Sequence, residues 1–537
     1  MMTVRRTALR VAFASSMLAL ASAGHAALEK PVQTKAGLVR GISGKVKGVT
    51  AFKGIPFAPP PVGNLRWKPP QPMAPWSGVR PANAYGKACM QPPGKGRVNV
   101  SVDLPDSPGM SEDCLYLNVW TAARAAGEKR PVMVWIYGGA YSEGAGSSPF
   151  SEGDALAAKG VVLVTFNYRL GSLGFLAHPE LTAESAHHAS GNYALMDAIA
   201  ALKWVKANIA AFGGDPDNVT IFGESAGACM SAALVGSPEA KGLFHRAISE
   251  SGSWMGLGIT KMIPRATAEA DAVKAAQKIG LNSLAQLRAL SAQDALDKLP
   301  RQGMIVDGWI IPEDLAVTFA DGRQNAVDIL VGSNAEEGSF SAGFGPPMTA
   351  AAWREGASKR WGDLAALGLA AYPAKTDAEA QAVATVPFSD GLGWLMRFYA
   401  DSQAKTGRKV WFYHFTHRPP YEPGKRNLGA AHTAEIPYVF NNLAAPRTFP
   451  DGSSPRLASA DPREQAFADQ VSSYWVNFAR TGDPNGPGLP AWPSVNKLGP
   501  TEAMLLDAGS SGRGSWLNAS KVDFYKKLYI RDVGPAD

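Results

Sequence analysis

Cysteine and histidine are scarce in this chain of 537 residues, with three of the first and eight of the second. No C-x-x-C pair and no H-E-x-x-H segment occurs, which excludes the common zinc and dithiol chemistries. The G-x-x-x-x-G-K-[ST] phosphate loop is also absent. "DPDNVTIFGE" holds carboxylates but lacks the central glycine and the glutamate spacing of a calcium loop. Charge is sparse at 18%, and no dense Lys/Arg run exists that could track nucleic acid. The net charge of +7 falls to +4 without Arg5, Arg6 and Arg10, which is a statement about solubility and not about partners. Beyond residue 26 no apolar run approaches the ~18 residues of a membrane span.

What is present is a globular composition, 46% hydrophobic. The first 26 residues stand apart. Arg5, Arg6 and Arg10 precede an apolar run from Val11 to Ala23, and small residues end at Ala26. That pattern predicts a secretory signal peptide, so the mature chain is expected in the periplasm or outside the cell. A general secretory leader is preferred over a twin-arginine one. Export permits a disulfide. Cys89 and Cys114 bracket a Pro/Gly-rich loop and are expected to pair, leaving Cys229 free.

Five apolar segments read as strands: "RPVMVWIYGG", "GVVLVTFNYR", "DNVTIFGES", "VDILVGSNAEEG" and "RKVWFYHFTH". Both faces are apolar in most, as in a parallel sheet covered by helices. "NYALMDAIAALKWVKANIAAF" has helical period, with Leu195, Ile199, Leu202, Val205 and Ile209 on one stripe. "EQAFADQVSSYWVNFARTG" is a late amphipathic helix stopped by Gly482 and Pro484. Residues 265–300 and 349–406 read as helical insertions over the active-site face. The prediction is one α/β body spanning 27–537.

"GESAG" matches G-x-S-x-G and follows a strand, as a nucleophile elbow requires. Gly223 and Gly227 let strand and helix approach, and Ser225 stands at the helix N-terminus. An elbow needs oxyanion donors: the N–H of Ala226, and those of a glycine loop such as "WIYGGAY". A histidine base must lie late in the chain. His414 and His417 fall in an aromatic strand pattern and read as packed side chains. His432 sits in "NLGAAHTAEIPYVF", a small-residue loop expected beyond the last strand, where such a base can reach the serine. The acid should follow "VDILVG", where Glu336 and Glu337 are adjacent; spacing leaves both open, with one of them a solvated loop carboxylate. An ordinary histidine predicts kcat/KM rising through roughly pH 6–7.

Together these segments resemble the type-B carboxylesterases, the para-nitrobenzyl esterase and cholinesterase group of α/β-hydrolases. The likeness is carried by "FKGIPFAPPPVGNLRWKPP", "SEDCLYLNVW", "FNYRLGSLGFL", "FGGDPDNVTIFGESAGA" and "YWVNFARTGDPN". It implies an α/β-hydrolase fold and ester hydrolysis by Ser225, Glu337 and His432, with oxyanion donors Gly139, Ala140 and Ala226. It implies supporting roles for Glu224 and Ser251, and substrate contacts from Phe340, Tyr141 and Trp254. It implies no metal or cofactor and a small-molecule ester as partner; the oligomeric state stays open in the sequence, with a monomer favoured. Tyr137 stands where many members have histidine. The 89–114 loop has no tryptophan, which argues against a choline ester. A lipase and a non-catalytic binding protein are the alternatives on this fold.

Overall fold

The computed structural model describes residues 28, 30–92, 107–254, 261–341, 347–420, 427–445 and 461–534. The expected signal peptide lies outside them. Eleven strands form one sheet: β1 Ile42–Ser43, β2 Thr50–Pro56, β3 Tyr116–Thr121, β4 Arg130–Ile136, β5 Val162–Phe166, β6 Gly214–Glu224, β7 Arg246–Glu250, β8 Asp328–Asn334, β9 Val410–Phe415, β10 Glu502–Leu506 and β11 Gly512–Ser515. Their spatial order is β11-β10-β9-β8-β7-β6-β4-β5-β3-β2-β1. From β5 to β10 every neighbouring pair is parallel, and the edges are antiparallel. This is the mostly parallel, helix-flanked sheet that the apolar segments foretold.

All five expected strands are present, but β9 is not the last, because β10 and β11 follow it. β7 is absent from the sequence reading. It is five residues long and ends in Ser249 and Glu250, both fully buried, so polar residues hide a central strand. After a register shift that follows the Arg130–Gly214 pair, Val132–Ile136 of β4 pair with Val219–Gly223 of β6 across the middle of the sheet, where β-branched and aromatic side chains pack on both faces.

Helix α1 (Tyr193–Asn208) is buried nearly all round and not along one stripe; Lys203 and Lys206 mark its solvent side. α2 (Ala226–Gly236) leaves β6 and packs on β6 and β7. The 265–300 region forms helices Arg265–Lys278, Leu284–Ala289 and Ala292–Lys298. The 349–406 region ends in α3 (Val386–Ala404), which lies against β8 and β9 as the crossover between them. That last helix is therefore part of the layered fold and not an insertion above it. α4 (Ile436–Val439) packs on α5 (Pro462–Thr481), whose end is capped by Gly482 at φ 74°. Among the described residues no helix is long and apolar enough to cross a membrane. Cys89 and Cys114 are joined, and Cys229 is free.

Candidate active site

The carboxyl ends of β4, β6, β7 and β8 meet at Ser225. The chain passes from β6 into α2 through this single residue, at φ 57° and ψ −122°. Such a backbone costs about 1–3 kcal/mol and persists only where surroundings impose it. Its N–H donates to Glu250 O at 2.9 Å, and its carbonyl accepts from Cys229 N–H at 2.9 Å. A methyl on Gly227 would lie 1.9 Å from Ile136 O, and one on Gly223 2.5 Å from the same atom. Only glycine permits that contact between elbow and β4.

The loop after β4 approaches from the other side. A Cβ on Gly138 would fall 3.1 Å from Ser225 Cβ. Gly139, Ala140 and Tyr141 have φ values of 105°, 49° and 62°, so three successive residues are left-handed. Tyr137 anchors the loop: its ring stacks on Tyr168 at 4.2 Å, and Tyr168 O–H donates to Tyr137 O at 2.7 Å. Among the described residues the N–H groups of Gly139 and Ala140 donate to no protein acceptor, and Ala226 opens α2, where N–H groups have no helical partner.

His432 is 7% exposed. Its Nδ1 is 2.5 Å from Glu337 Oε2, and its Nε2 is 3.1 Å from Glu224 Oε1. Glu337 is fully buried, and its Oε1 accepts from Asn334 N–H at 2.7 Å. Burial alone would push the His432 imidazole down; Glu224, then Glu337, outweigh it and lift it to about 10. The two carboxylates therefore favour the charged form of the ring, above the ordinary histidine range near 6–7.

Glu336 is not the solvated neighbour expected. Its Oε1 accepts from Arg418 Nη2 at 2.6 Å and its Oε2 from Ala430 N–H at 2.8 Å. Its own N–H donates to Ala430 O at 3.0 Å. Glu336 thus ties the acid-bearing loop to the His432 loop, while its carboxylate turns away from the ring. Ser251 is buried, with φ 57°, but its hydroxyl makes no hydrogen bond among the described residues. The hydroxyl support expected for the Glu337–His432 pair is therefore not made by Ser251; Asn334 N–H holds Glu337 instead. Trp254 is only 4% exposed and stacks behind Tyr141 at 6.4 Å, so Tyr141 is the more accessible of the two. Phe340 stands 6.1 Å from the His432 ring and borders an apolar cavity of about 580 Å³ with Pro387, Phe388, Leu392 and Leu395.

Sequence reasoning missed two further carboxylates. Glu250 and Glu435 are fully buried near Glu224 and Glu337. Glu250 accepts from Trp475 Nε1 at 2.9 Å, and Glu435 from Asn334 Nδ2 at 2.5 Å. Burial, then Glu435, holds Glu250 well above the carboxylate range. Burial, then Glu337, raises Glu435 to about 7. No local pattern announces these groups, since a glutamate in sequence looks exposed. His414 is neutral: burial pushes it down to about 4.

The sequence matches the Carboxylesterase family over residues 29–364 and 372–525. It is 37% identical over 495 residues to fumonisin B1 esterase of Sphingopyxis macrogoltabida, covering 91% of this chain and 88% of that one. It is 36% identical over 494 residues to para-nitrobenzyl esterase of Bacillus subtilis, covering 87% and 94%. A solved structure of PNB esterase superposes with TM-score 0.76 at 33% identity, covering 93% of this chain and 99% of its own. The chain therefore belongs to the carboxylesterase family, and it is a carboxylic ester hydrolase of α/β-hydrolase fold.

Proposed function

We propose that the protein cleaves small carboxylic esters through an acyl-enzyme formed on Ser225. The observation that carries this is the pairing of His432 with Glu337 beside a serine forced into a left-handed turn. In the resting state the imidazolium lies between Glu337 and Glu224. Loss of its proton frees Nε2 to accept the Ser225 proton as the serine oxygen attacks the ester carbonyl. The N–H groups of Gly139, Ala140 and Ala226 receive the charge that develops on the carbonyl oxygen. Collapse expels the alcohol, which takes the proton back from His432. Water then repeats the sequence on the acyl group and restores Ser225. Glu337 holds the ring and balances its charge throughout.

We also propose export, supported by the leader-like first 26 residues and by the Cys89–Cys114 disulfide. The test of the mechanism is covalent. An organophosphonate should label Ser225 alone, with hydrolysis of a short-chain nitrophenyl ester lost in step. Ser225→Ala should abolish both with the fold intact. Labelling of another serine, or activity surviving in Ser225→Ala, refutes the assignment.

A further inference from the structure

A second buried histidine lies outside the machinery just described. His417 follows β9 and is 6% exposed. Its Nδ1 is 3.0 Å from Asp507 Oδ1, beyond β10, and its Nε2 is 3.0 Å from Glu464 Oε2, on α5. A neutral imidazole carries one N–H, so one nitrogen would then turn a lone pair toward a carboxylate at 3.0 Å. The geometry requires both nitrogens to donate. The ring is boxed by Phe467 at 4.8 Å, Tyr438 at 5.3 Å and Phe415 at 6.1 Å, and Glu464 is buried with it while Asp507 is partly exposed.

The oxygen that Nε2 meets also accepts from Tyr438 O–H at 2.5 Å. Tyr438 is fully buried and sits on α4, which begins four residues after His432. Tyr438 N–H donates to Glu435 O at 2.9 Å. The Glu435 carboxylate is held by Asn334 Nδ2, which also donates to Ala431 O at 2.8 Å, next to His432. Asn334 N–H in turn holds Glu337. Buried hydrogen bonds, linked through Tyr438, Glu435 and Asn334, therefore lead from His417 to Glu337 and to the carbonyl of Ala431, the residue before His432.

We propose that His417 is a positioning residue: as an imidazolium clamped between Asp507 and Glu464, it fixes α4 and thereby the seating of His432. This rests on His432 being the base of the reaction. Burial acts to lower the pKa of His417, but Glu464 and then Asp507 outweigh it and raise it. Burial likewise acts to raise Glu464, and the bonds from His417 and Tyr438 reverse this and lower it. The titratable groups facing the clamp are Asp507 after β10, Glu464 on α5 and the neutral phenol of Tyr438 on α4; Asp461, the cap of α5, lies beyond Glu464, and Arg418 pairs with Glu336. The signs follow. The His417 contribution is whole below its unfolded pKa and is lost as pH rises through its raised folded value. The Glu464 contribution is whole above its unfolded pKa and is lost as pH falls through its lowered value.

The test compares kcat and KM across pH for the wild type, His417→Gln and Tyr438→Phe on a nitrophenyl ester. Wild-type kcat should decline on the alkaline side with KM held within about twofold. In His417→Gln, kcat should already be about tenfold lower at neutral pH and the alkaline decline should vanish. Tyr438→Phe keeps the packing and should lower kcat about threefold with a shallower decline, which keeps the test open if His417→Gln fails to fold. A lowered melting temperature with an unchanged kcat–pH profile in either folded variant overturns the proposal. His432→Ala serves as control. If it stays active, the reading of the site fails; if it is dead while Tyr438→Phe matches the wild type, the positioning role alone fails.

Discussion

His432 and His417 are both buried, and each has a carboxylate at either ring nitrogen. They differ in what surrounds that shared pattern. His417 is walled by three aromatic rings. His432 has at Nε2 the carboxylate of Glu224, the residue before the strained Ser225, and has Phe340 6.1 Å from its ring. A histidine between two acids is a structural clamp where both acids are tied to other elements of the fold. It becomes a candidate base where one of the acids can yield to a substrate-bearing serine. Charge pattern alone does not separate the two; what lies around the ring does.

The largest effect expected from breaking this comparison is at the acids that hold the rings. Glu337→Gln should lower kcat by ~10³–10⁴ with folding intact, since a glutamine cannot stabilise the imidazolium. Asp507→Asn, the matching change at His417, should keep kcat within about threefold. Steady-state kinetics with thermal melts on both variants decides it, and equal losses would erase the distinction.

Glu224→Gln sharpens the same contrast through pH. The Glu224 charge helps to raise His432 without being the acid that holds its Nδ1, so removing that charge should move the acid limb of kcat/KM down by about one unit or more. The wild-type limb should lie well above pH 7. An unmoved limb would mean that Glu224 does not set the charge on the ring.

Glu336→Gln probes the tie between the two loops. It weakens a partly exposed pair with Arg418 while leaving the main-chain pairing with Ala430, so the loss should be a few-fold in kcat and at most about 1 kcal/mol in stability. A collapse of activity there would move the acid by one residue. The smallest effect is at Phe340. Phe340→Ala should alter the kcat/KM ratio between bulky and small esters by about two- to fivefold, because it opens the 580 Å³ cavity toward His432. A uniform loss on all esters with a large drop in melting temperature would make Phe340 a core residue.

Much of this was legible before any coordinates. Hydrophobic runs flanked by glycine located β4, β5, β6, β8 and β9, because a central parallel strand must be apolar on both faces. "GESAG" marked the elbow, because Gly223 and Gly227 meet the Ile136 carbonyl at distances no side chain tolerates. These are local constraints, and a local constraint leaves its trace in neighbouring residues. What only the tertiary structure decided is non-local. It placed the Glu337 carboxylate on the His432 ring and the Glu336 carboxylate on Arg418 and Ala430, from two adjacent identical side chains. It put Glu224 on the other nitrogen of that ring, which turns an ordinary histidine into a strongly basic one. It buried Glu250 and Glu435 around the same point and left the Ser251 hydroxyl without the bond expected of it. Burial and charge proximity arise from segments distant in sequence, 95 residues for Glu337 and His432 and 82 for Glu336 and Arg418, meeting at the ends of the strands. No periodicity or spacing encodes such a meeting.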